Sequence, residues 1–196
     1  QYKRLNSSKL LLILLITLYI LSFMIDDLHH YLALHPGNTF TGPYSHIWTL
    51  ITAGYIEDHI ITGLFNIILF SLLGPLLECN YTSIYFIRFV LIVNFIVFLL
   101  VFISVIIYFS ITNAEYELYA SHCGLTAINA ALLVAMKQQF PNRPFLHTNS
   151  GIKMKDLPFL FCFISLILWI LFNHLYSNQI LLVFYGTFIG YIYLKY

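Results

Sequence analysis

The sequence predicts an all-α membrane protein in which one domain, residues 1–196, crosses the bilayer with six helices. Of the 196 residues, 60% are hydrophobic and only 9% are charged, whereas soluble domains carry about 25% charged residues. A soluble fold of this size has too little interior to bury so much apolar surface, so lipid must solvate much of the chain. The net charge of +1 indicates neither a nucleic acid nor an acidic partner.

Six apolar segments approach the roughly 17–25 residues that a membrane-spanning helix needs. They are Leu10–Ile25, Ile60–Leu77, Ile84–Ile111, Ala120–Met136, Leu157–Phe172 and Gln179–Leu194, and the fourth is expected to be a short central helix. Asp26 and Asp27 follow the first segment where a signal peptide would have small residues, so we interpret this segment as a retained helix. Since the chain starts at Gln1 and not at Met, we expect further residues upstream.

The basic residues indicate how the helices are oriented. All nine Lys and Arg lie on one side of the six-helix arrangement: Lys3, Arg4, Lys9, Arg88, Lys137, Arg143, Lys153, Lys155 and Lys195. The connections on the other side, residues 26–59, 112–119 and 173–178, contain no Lys or Arg. Basic residues near membrane helices concentrate on the cytosolic side. Both termini are therefore predicted to be cytosolic, and residues 26–59 to form a lumenal loop.

The loop 26–59 is long for a helix connection, and it contains five histidines, His29, His30, His35, His46 and His59. A metal-dependent lumenal enzyme is therefore one interpretation. However, the loop has no HExxH motif or comparable spacing on one helix face. A cluster of Glu57, Asp58 and His59 fits a solvated loop equally well. The sequence therefore predicts no metal and no cofactor.

Trp48, Thr52, Asn66, Gly74 and Glu78 have the order and spacing of a rhomboid motif. The sequence resembles the rhomboid superfamily, whose proteases have a Trp-Arg pair in the first loop and an H-x4-H-x3-N pattern, a Gly and a Glu along helix 2. The differences fall on functional positions, because Thr49 replaces the Arg while Glu57 and Thr62 replace the two His. The resemblance implies a six-helix rhomboid-like bundle in which the retained positions form a structural motif.

The remaining catalytic positions of the rhomboid pattern are degenerate as well. The nucleophile motif G-x-S-G matches residues 121–124, where Cys123 and Gly124 stand at the Ser and final Gly positions. In helix 6, Gly186 and Gly190 match a G-x3-G pair. Val183 stands where the resemblance places the base His.

No general base is expected beside the Cys123 thiol, and a nucleophilic thiol needs one within hydrogen-bond reach. On a helix the adjacent His122 would point about 100° away from Cys123. The apolar span of helix 6 has no His, Asp, Glu or Lys, which leaves His174 as a remote candidate. We therefore interpret Cys123 as a packing residue in a helix rich in small side chains. This helix is expected to pack closely against Gly186 and Gly190.

Within the superfamily, the sequence is similar to the eukaryotic Golgi rhomboid-like pseudoprotease family (transmembrane protein 115 type). The similarity rests on Trp48-Thr49-Leu50 before helix 2, Leu132–Gln138 at the end of helix 4, and Tyr185-Gly186 with Tyr191–Leu194 in helix 6. It implies a Golgi membrane protein without protease activity. It also implies a role in retrograde Golgi-to-ER vesicle transport, with membrane proteins or the Golgi tethering machinery as partners, and a cytosolic tail after helix 6.

Three other functions stay open on the sequence. An intramembrane protease would use Cys123 as its nucleophile, and a lumenal enzyme would use the His-rich loop. A small channel or transporter is disfavoured, because no Lys, Arg, Asp or Glu lies deep inside a predicted helix. Membrane lipid is a further expected partner, and self-association into a homo-oligomer stays open.

Overall fold

The computed structural model describes residues 7–40, 45–144, 153–171 and 173–195, most of which are helical. The helices in chain order are α1 (Ser7–Met24), α2 (Asp26–Leu32), α3 (Pro36–Phe40), α4 (Thr49–Thr52), α5 (Ile60–Glu78), α6 (Ser83–Thr112), α7 (Glu115–Tyr119), α8 (Thr126–Gln139), α9 (Leu157–Leu171) and α10 (Asn173–Lys195). A 3-10 turn, Ala53–Tyr55, continues α4. The described residues form no β-strand, and isolated bridges pair Leu34 with His122 and Pro144 with Lys153.

Three helices are long and apolar enough to cross a bilayer: α1 with 18 residues, α5 with 19 and α6 with 30. Helix α9 and the Gln179–Lys195 part of α10 are apolar but shorter. The outer surfaces of α5 and α9 carry large apolar side chains such as Ile61 and Phe159, each 77% exposed. So much exposed apolar surface needs a lipid environment, and the chain is an integral membrane protein.

The predicted start of the fourth long helix is wrong, because α8 begins at Thr126 and not at Ala120. The segment before it pairs with the first loop: the His122 N–H donates to the Leu34 carbonyl at 2.9 Å, and the Leu34 N–H donates to the His122 carbonyl at 3.2 Å. Gly124 has a φ of +136°, which residues with a Cβ rarely adopt and which an α-helix does not contain. The helix therefore starts only after Gly124.

One other helix also starts at a different residue than predicted. Helix α10 begins at Asn173 instead of Gln179, because polar residues that add nothing to an apolar span can still continue a helix. The loop 26–59 contains three short helices, α2, α3 and α4. Pro36 is the first residue of α3, a position where its fixed φ suits a helix and its missing N–H costs no hydrogen bond.

Helix α8 lies at the centre of the bundle and contacts α5, α6, α9 and α10. Every residue from Thr126 to Met136 is buried. The reason is the small size of its side chains, including Ala127, Ala130 and Ala131. In lipid, small residues allow helix backbones to approach closely and gain van der Waals contact.

Gly186 and Gly190 of α10 lie directly against the backbone of α8. A Cβ at Gly186 would be 2.3 Å from the Ala127 carbonyl oxygen, and a Cβ at Gly190 would be 2.8 Å from the Ala131 Cα. Neither distance is compatible with a side chain, so the approach of α10 to α8 requires glycine at both positions.

Candidate functional site

Glu57 is the centre of a buried polar network at the start of α8. It lies between the 3-10 turn and α5, and it is only 3% exposed. Its Oε1 accepts hydrogen bonds from the Leu125 backbone N–H at 2.9 Å and from Asn66 Nδ2 at 2.7 Å. The residue that stands at a rhomboid motif His is therefore a hydrogen-bond acceptor that connects α5 to the start of α8.

The network continues across three helices. Asn66 Nδ2 also lies 2.9 Å from Thr126 Oγ1, and the Thr126 hydroxyl donates to Gln179 Oε1 at 3.0 Å. Asn129 Nδ2 donates to the Asn66 side-chain oxygen and to the Asn66 carbonyl, each at 3.0 Å. These bonds join α5, α8 and α10 in the apolar interior, where polar groups without partners are costly.

Burial controls the ionisation of Glu57. Removal of the carboxyl group from water raises its pKa to about 7, although the hydrogen bonds from Leu125 and Asn66 favour the charged form. The negative charge of the neighbouring Asp58 adds to the increase. Near neutral pH the group is therefore divided between its protonated and ionised forms.

A second group of side chains surrounds the sulfur of Cys123, which is 2% exposed. His29 Nε2 lies 4.0 Å from this sulfur and 3.1 Å from Asp58 Oδ1. The Ser121 hydroxyl donates to the same Asp58 oxygen at 2.9 Å. The prediction that no imidazole reaches the thiol is therefore wrong.

The reason for this error lies in the chain topology. His29 is on α2 and Cys123 precedes α8, 94 residues apart in the sequence. The Leu34–His122 bridge brings the two segments together. The Asp-Asp-Leu-His-His run at 26–30 was the available sequence signal, but nothing in its spacing indicates a partner so far along the chain. The side chain of His174 lies outside the described residues.

His122 and Cys123 point in different directions, for a reason other than the expected one. The segment is extended and not helical, so adjacent side chains alternate between opposite sides. The His122 ring is 1% exposed, and burial lowers its pKa to about 4, so it is neutral at physiological pH.

Glu57, Asp58 and His59, which the sequence left open as a cluster, make hydrogen bonds to different partners. Glu57 joins the network with Asn66, and Asp58 joins His29. The His59 backbone carbonyl accepts hydrogen bonds from the Thr62 and Tyr19 hydroxyls at 2.9 and 3.2 Å. Thr62, at the second rhomboid His position, therefore bonds mainly to its own helix start.

The group around Cys123 lacks the geometry of a nucleophile–base–acid relay. In such a relay, one ring nitrogen of the His faces the nucleophile while the other is held by the acid. Here both Cys123 and Asp58 approach the same nitrogen of His29. Burial and the nearby Asp58 and Glu57 carboxylates also raise the pKa of the Cys123 thiol well above its usual value, which disfavours the thiolate.

Trp48 and Thr52 connect α4 to the end of α2. The Trp48 indole Nε1–H donates to the Tyr31 carbonyl at 2.9 Å, and the Thr52 hydroxyl donates to the Leu32 carbonyl at 2.9 Å. These two motif residues therefore hold the first loop in its folded shape, next to the residues that contact Cys123.

Gly74 and Glu78 connect the N-terminal helix to the bundle. A Cβ at Gly74 would lie 3.3 Å from the Ser8 Cβ. Glu78 accepts bonds from the Ser7 and Ser8 backbone N–H groups at 2.6 and 2.9 Å, and from the Ser8 and Ser83 hydroxyls at 2.6 and 2.7 Å. A carboxylate at the first turn of α1 is also favoured by the helix dipole.

Val183 is fully buried on α10, at the position where the resemblance places a base. Its spacing of three and four residues from Gly186 and Gln179 puts all three on the face that packs against α8. An apolar side chain fills this position next to the polar network.

A cavity of about 460 Å³ opens beside the group around Cys123. It lies between the end of α1 and α2, and its lining includes Phe23, Asp27, His30 and the side chains of His29 and Asp58. The side chains of His29 and Asp58 are 25% and 24% exposed, whereas Cys123 is closed off behind them. A small molecule or ion can therefore reach this group from the cavity side.

Comparison with known proteins places the chain in a family. Residues 9–196 match the family described as Eukaryotic integral membrane protein (DUF1751). The chain is 33% identical over 168 residues to Rhomboid-like protein 19 of Arabidopsis thaliana, in an alignment that covers 85% of this chain and 52% of that protein. It thus spans about half the length of this relative. The chain belongs to the DUF1751 family of eukaryotic integral membrane proteins and is a rhomboid-like membrane protein.

Proposed function

We propose that this chain is a non-catalytic rhomboid-like Golgi membrane protein of the transmembrane protein 115 type, which binds membrane partners during retrograde Golgi-to-ER vesicle transport. In this proposal it crosses the bilayer six times, with α8 as the short central helix and both termini in the cytosol. Its partners are membrane proteins or the tethering machinery of the Golgi, and it cleaves none of them.

The observation that carries the non-catalytic part is that the Asn66 side-chain amide is bonded to Glu57 and Thr126. In a rhomboid protease the motif His and Asn help to stabilise a developing oxyanion, and one such donor contributes about 3–4 kcal/mol. Thr62 stands at this helix-2 His position, and the Glu57 carboxyl group, 3.5 Å from its hydroxyl, repels an oxyanion when it is ionised. The amide of Asn66, the retained donor, is occupied by Glu57 and Thr126.

The proposed surface for membrane partners is formed by the outer faces of α5 and α9. Helix α5 exposes Leu64, Phe65 and Ile68 by 53–58%, and α9 exposes Phe163 and Ile170 by 55 and 62%. Both helices pack against α8 on their inner sides. A transmembrane segment of a partner can lie on these faces without displacing any contact of the bundle.

The test uses cells depleted of the natural protein and complemented with wild type or with Cys123→Ala. We expect the natural protein to be located in Golgi membranes. We also expect both versions to restore the return of an escaped ER reporter to the same extent. Loss of the reporter's return in Cys123→Ala, with normal protein level and location, would overturn the non-catalytic proposal. A normal rate of return in depleted cells would overturn the transport role.

One observation favours a second candidate function, an intramembrane protease with Cys123 as nucleophile. His29 lies 4.0 Å from the sulfur, and this distance can shorten when a substrate binds. The purified chain would then cleave a model transmembrane substrate, and Cys123→Ala would abolish the cleavage. An active rhomboid protease in the same detergent is the positive control. If it cleaves the substrate and the wild-type chain does not, the result supports the non-catalytic function.

A further inference from the structure

Three side chains with different metal-binding atoms converge beside the 460 Å³ cavity. They are the imidazole of His29, the carboxylate of Asp58 and the thiol of Cys123, and their ligand atoms all lie within 4.8 Å of one another. They come from three separate segments: α2, the loop before α5, and the extended segment before α8. None of the three belongs to the motif positions retained from rhomboids.

The distances fit the coordination sphere of zinc. In tetrahedral zinc sites the metal lies about 2.0–2.1 Å from His nitrogen, 2.0–2.2 Å from carboxylate oxygen and 2.3 Å from Cys sulfur. Neighbouring ligand atoms are then about 3.3–3.6 Å apart by tetrahedral geometry. His29 Nε2 lies 3.1 Å from Asp58 Oδ1 and 4.0 Å from the Cys123 sulfur. Small side-chain movements would place all three ligand atoms around one ion.

The backbone around Cys123 is held in place before any ion binds. On one side, the His122 N–H donates to the Leu34 carbonyl at 2.9 Å; on the other, the Gly124 N–H donates to the Ala53 carbonyl at 3.0 Å. Leu34 follows α2, the helix that carries His29, so the same bridge sets the distance between two of the ligands. A site with its backbone fixed in this way loses little conformational entropy on binding.

Asp58 also has the outer support that metal ligands usually have. The Ser121 hydroxyl donates to its Oδ1 at 2.9 Å. Hydrogen bonds of this kind orient a ligating carboxylate, and their loss typically weakens metal binding 10–100-fold. Ser121 lies two positions before Cys123. One segment therefore supplies the Cys123 ligand and also orients the Asp58 ligand.

We propose that His29, Asp58 and Cys123 bind one Zn²⁺ ion, with the fourth coordination position open to the cavity for water or a donor atom of a small ligand. The mixed set of nitrogen, oxygen and sulfur favours zinc over Mg²⁺ or Ca²⁺, which prefer oxygen alone. Because thiolate is the ligand form of cysteine, the thiol proton of Cys123 leaves to solvent as the Zn–S bond forms. The site is independent of the proposed transport role.

The probe for this site is Co²⁺, added to the purified full chain in detergent after treatment with a chelator. The chain carries an affinity tag without histidine, so that the tag binds no metal. We expect one equivalent of Co²⁺ to produce visible ligand-field bands of a tetrahedral ion and a near-ultraviolet thiolate-to-cobalt charge-transfer band. Zn²⁺ should displace the Co²⁺ and remove both.

Variants assign the ligands. Cys123→Ser should abolish the charge-transfer band, and His29→Asn or Asp58→Asn should weaken Co²⁺ binding more than 100-fold. Ser121→Ala should keep the band but weaken binding about 10–100-fold. His30→Asn is the matched control, because His30 lines the same cavity without joining the three ligands, and it should bind as wild type does.

Thermal unfolding provides a second measurement that does not depend on spectra. Zinc should raise the melting temperature of the wild type and of His30→Asn, because a ligand that binds only the native state stabilises it. Zinc should not raise the melting temperature of Cys123→Ser. The absence of a charge-transfer band in folded wild type, or a band that survives in Cys123→Ser, would overturn the proposal.

Discussion

The side-chain amide of Asn66 donates a 2.7 Å hydrogen bond to the carboxyl group of Glu57. Asn66 retains a rhomboid motif position, whereas Glu57 stands where that motif has a histidine. The two residues come from α5 and the loop before it, and their bond is buried against the start of α8. An asparagine at a position that stabilises transition-state charge in rhomboid proteases is thus bonded here to a buried carboxyl group that connects α5 to the start of α8.

Asn66→Ala should therefore lower the free energy of unfolding. The change removes one hydrogen bond to Glu57 and one from Asn129, and such bonds contribute about 0.5–1.5 kcal/mol each, more where a charged group takes part. We expect a loss of about 2 kcal/mol, measured by thermal unfolding in detergent. The control is Asn80→Ala at the exposed turn after α5, where we expect a loss below about 0.5 kcal/mol. Equal losses in both variants would contradict the network role.

Gly186→Ala should strongly destabilise the packing of α10 on α8. The added Cβ would lie 2.3 Å from the Ala127 carbonyl oxygen, so one of the two helix backbones must move. Overpacking of this kind costs about 3 kcal/mol or more, and Gly186→Leu should give no folded protein in detergent. The yield of monodisperse protein and its melting temperature are the measurements.

Gly74→Ala is the matched control for this substitution, since it is also a helical glycine in an apolar segment. Its nearest contact would be the Ser8 Cβ at 3.3 Å, which needs a shift of only a few tenths of an ångström. We expect a loss below about 1 kcal/mol. If Gly186→Ala were as stable as Gly74→Ala, the close packing of α10 on α8 would be refuted.

Glu78→Ala should detach the start of α1 from the bundle. Glu78 accepts hydrogen bonds from Ser7, Ser8 and Ser83, and no other described group accepts the Ser8 hydroxyl bond. We expect the variant to lose about 2 kcal/mol or more and to expose the N-terminal segment to added protease. Glu115→Ala, at the exposed start of α7, should behave as wild type. Unchanged protease resistance in Glu78→Ala would contradict the anchoring role.

Trp48→Phe should loosen the first loop without unfolding the membrane helices. The change removes the indole N–H that donates to the Tyr31 carbonyl, and a hydrogen bond worth about 1 kcal/mol corresponds to a roughly fivefold change in local opening. Hydrogen exchange of the amides in α2 and α4 should accelerate by about this factor. Trp169→Phe, on the apolar helix α9, is the control and should leave these amides unchanged. Faster exchange throughout α5 and α6 would instead indicate global destabilisation.

The membrane environment, the long helices and the close-packed glycines follow from local features of the sequence. The length of their apolar segments predicts α1, α5 and α6. In lipid a helix must pair its backbone N–H and C=O groups internally, and its side chains must be mostly apolar. The spacing of Gly186 and Gly190 places both on one helix face, where only glycine permits close approach. The start of α8 was less predictable. Composition alone assigns the segment before Gly124 to this helix, but that segment is extended, and the positive φ of Gly124 separates it from α8.

The sequence by itself determined that lipid surrounds much of this protein, since so many apolar and so few charged residues leave no alternative to a membrane environment. Only the tertiary structure decided which polar groups meet. The approach of His29 to Cys123 across 94 residues depends on the Leu34–His122 bridge, and the burial of Glu57 depends on where α8 begins. Hydrophobic periodicity indicates which side of a helix faces lipid. Contacts between distant segments depend instead on the folded path of the chain, which no local pattern contains.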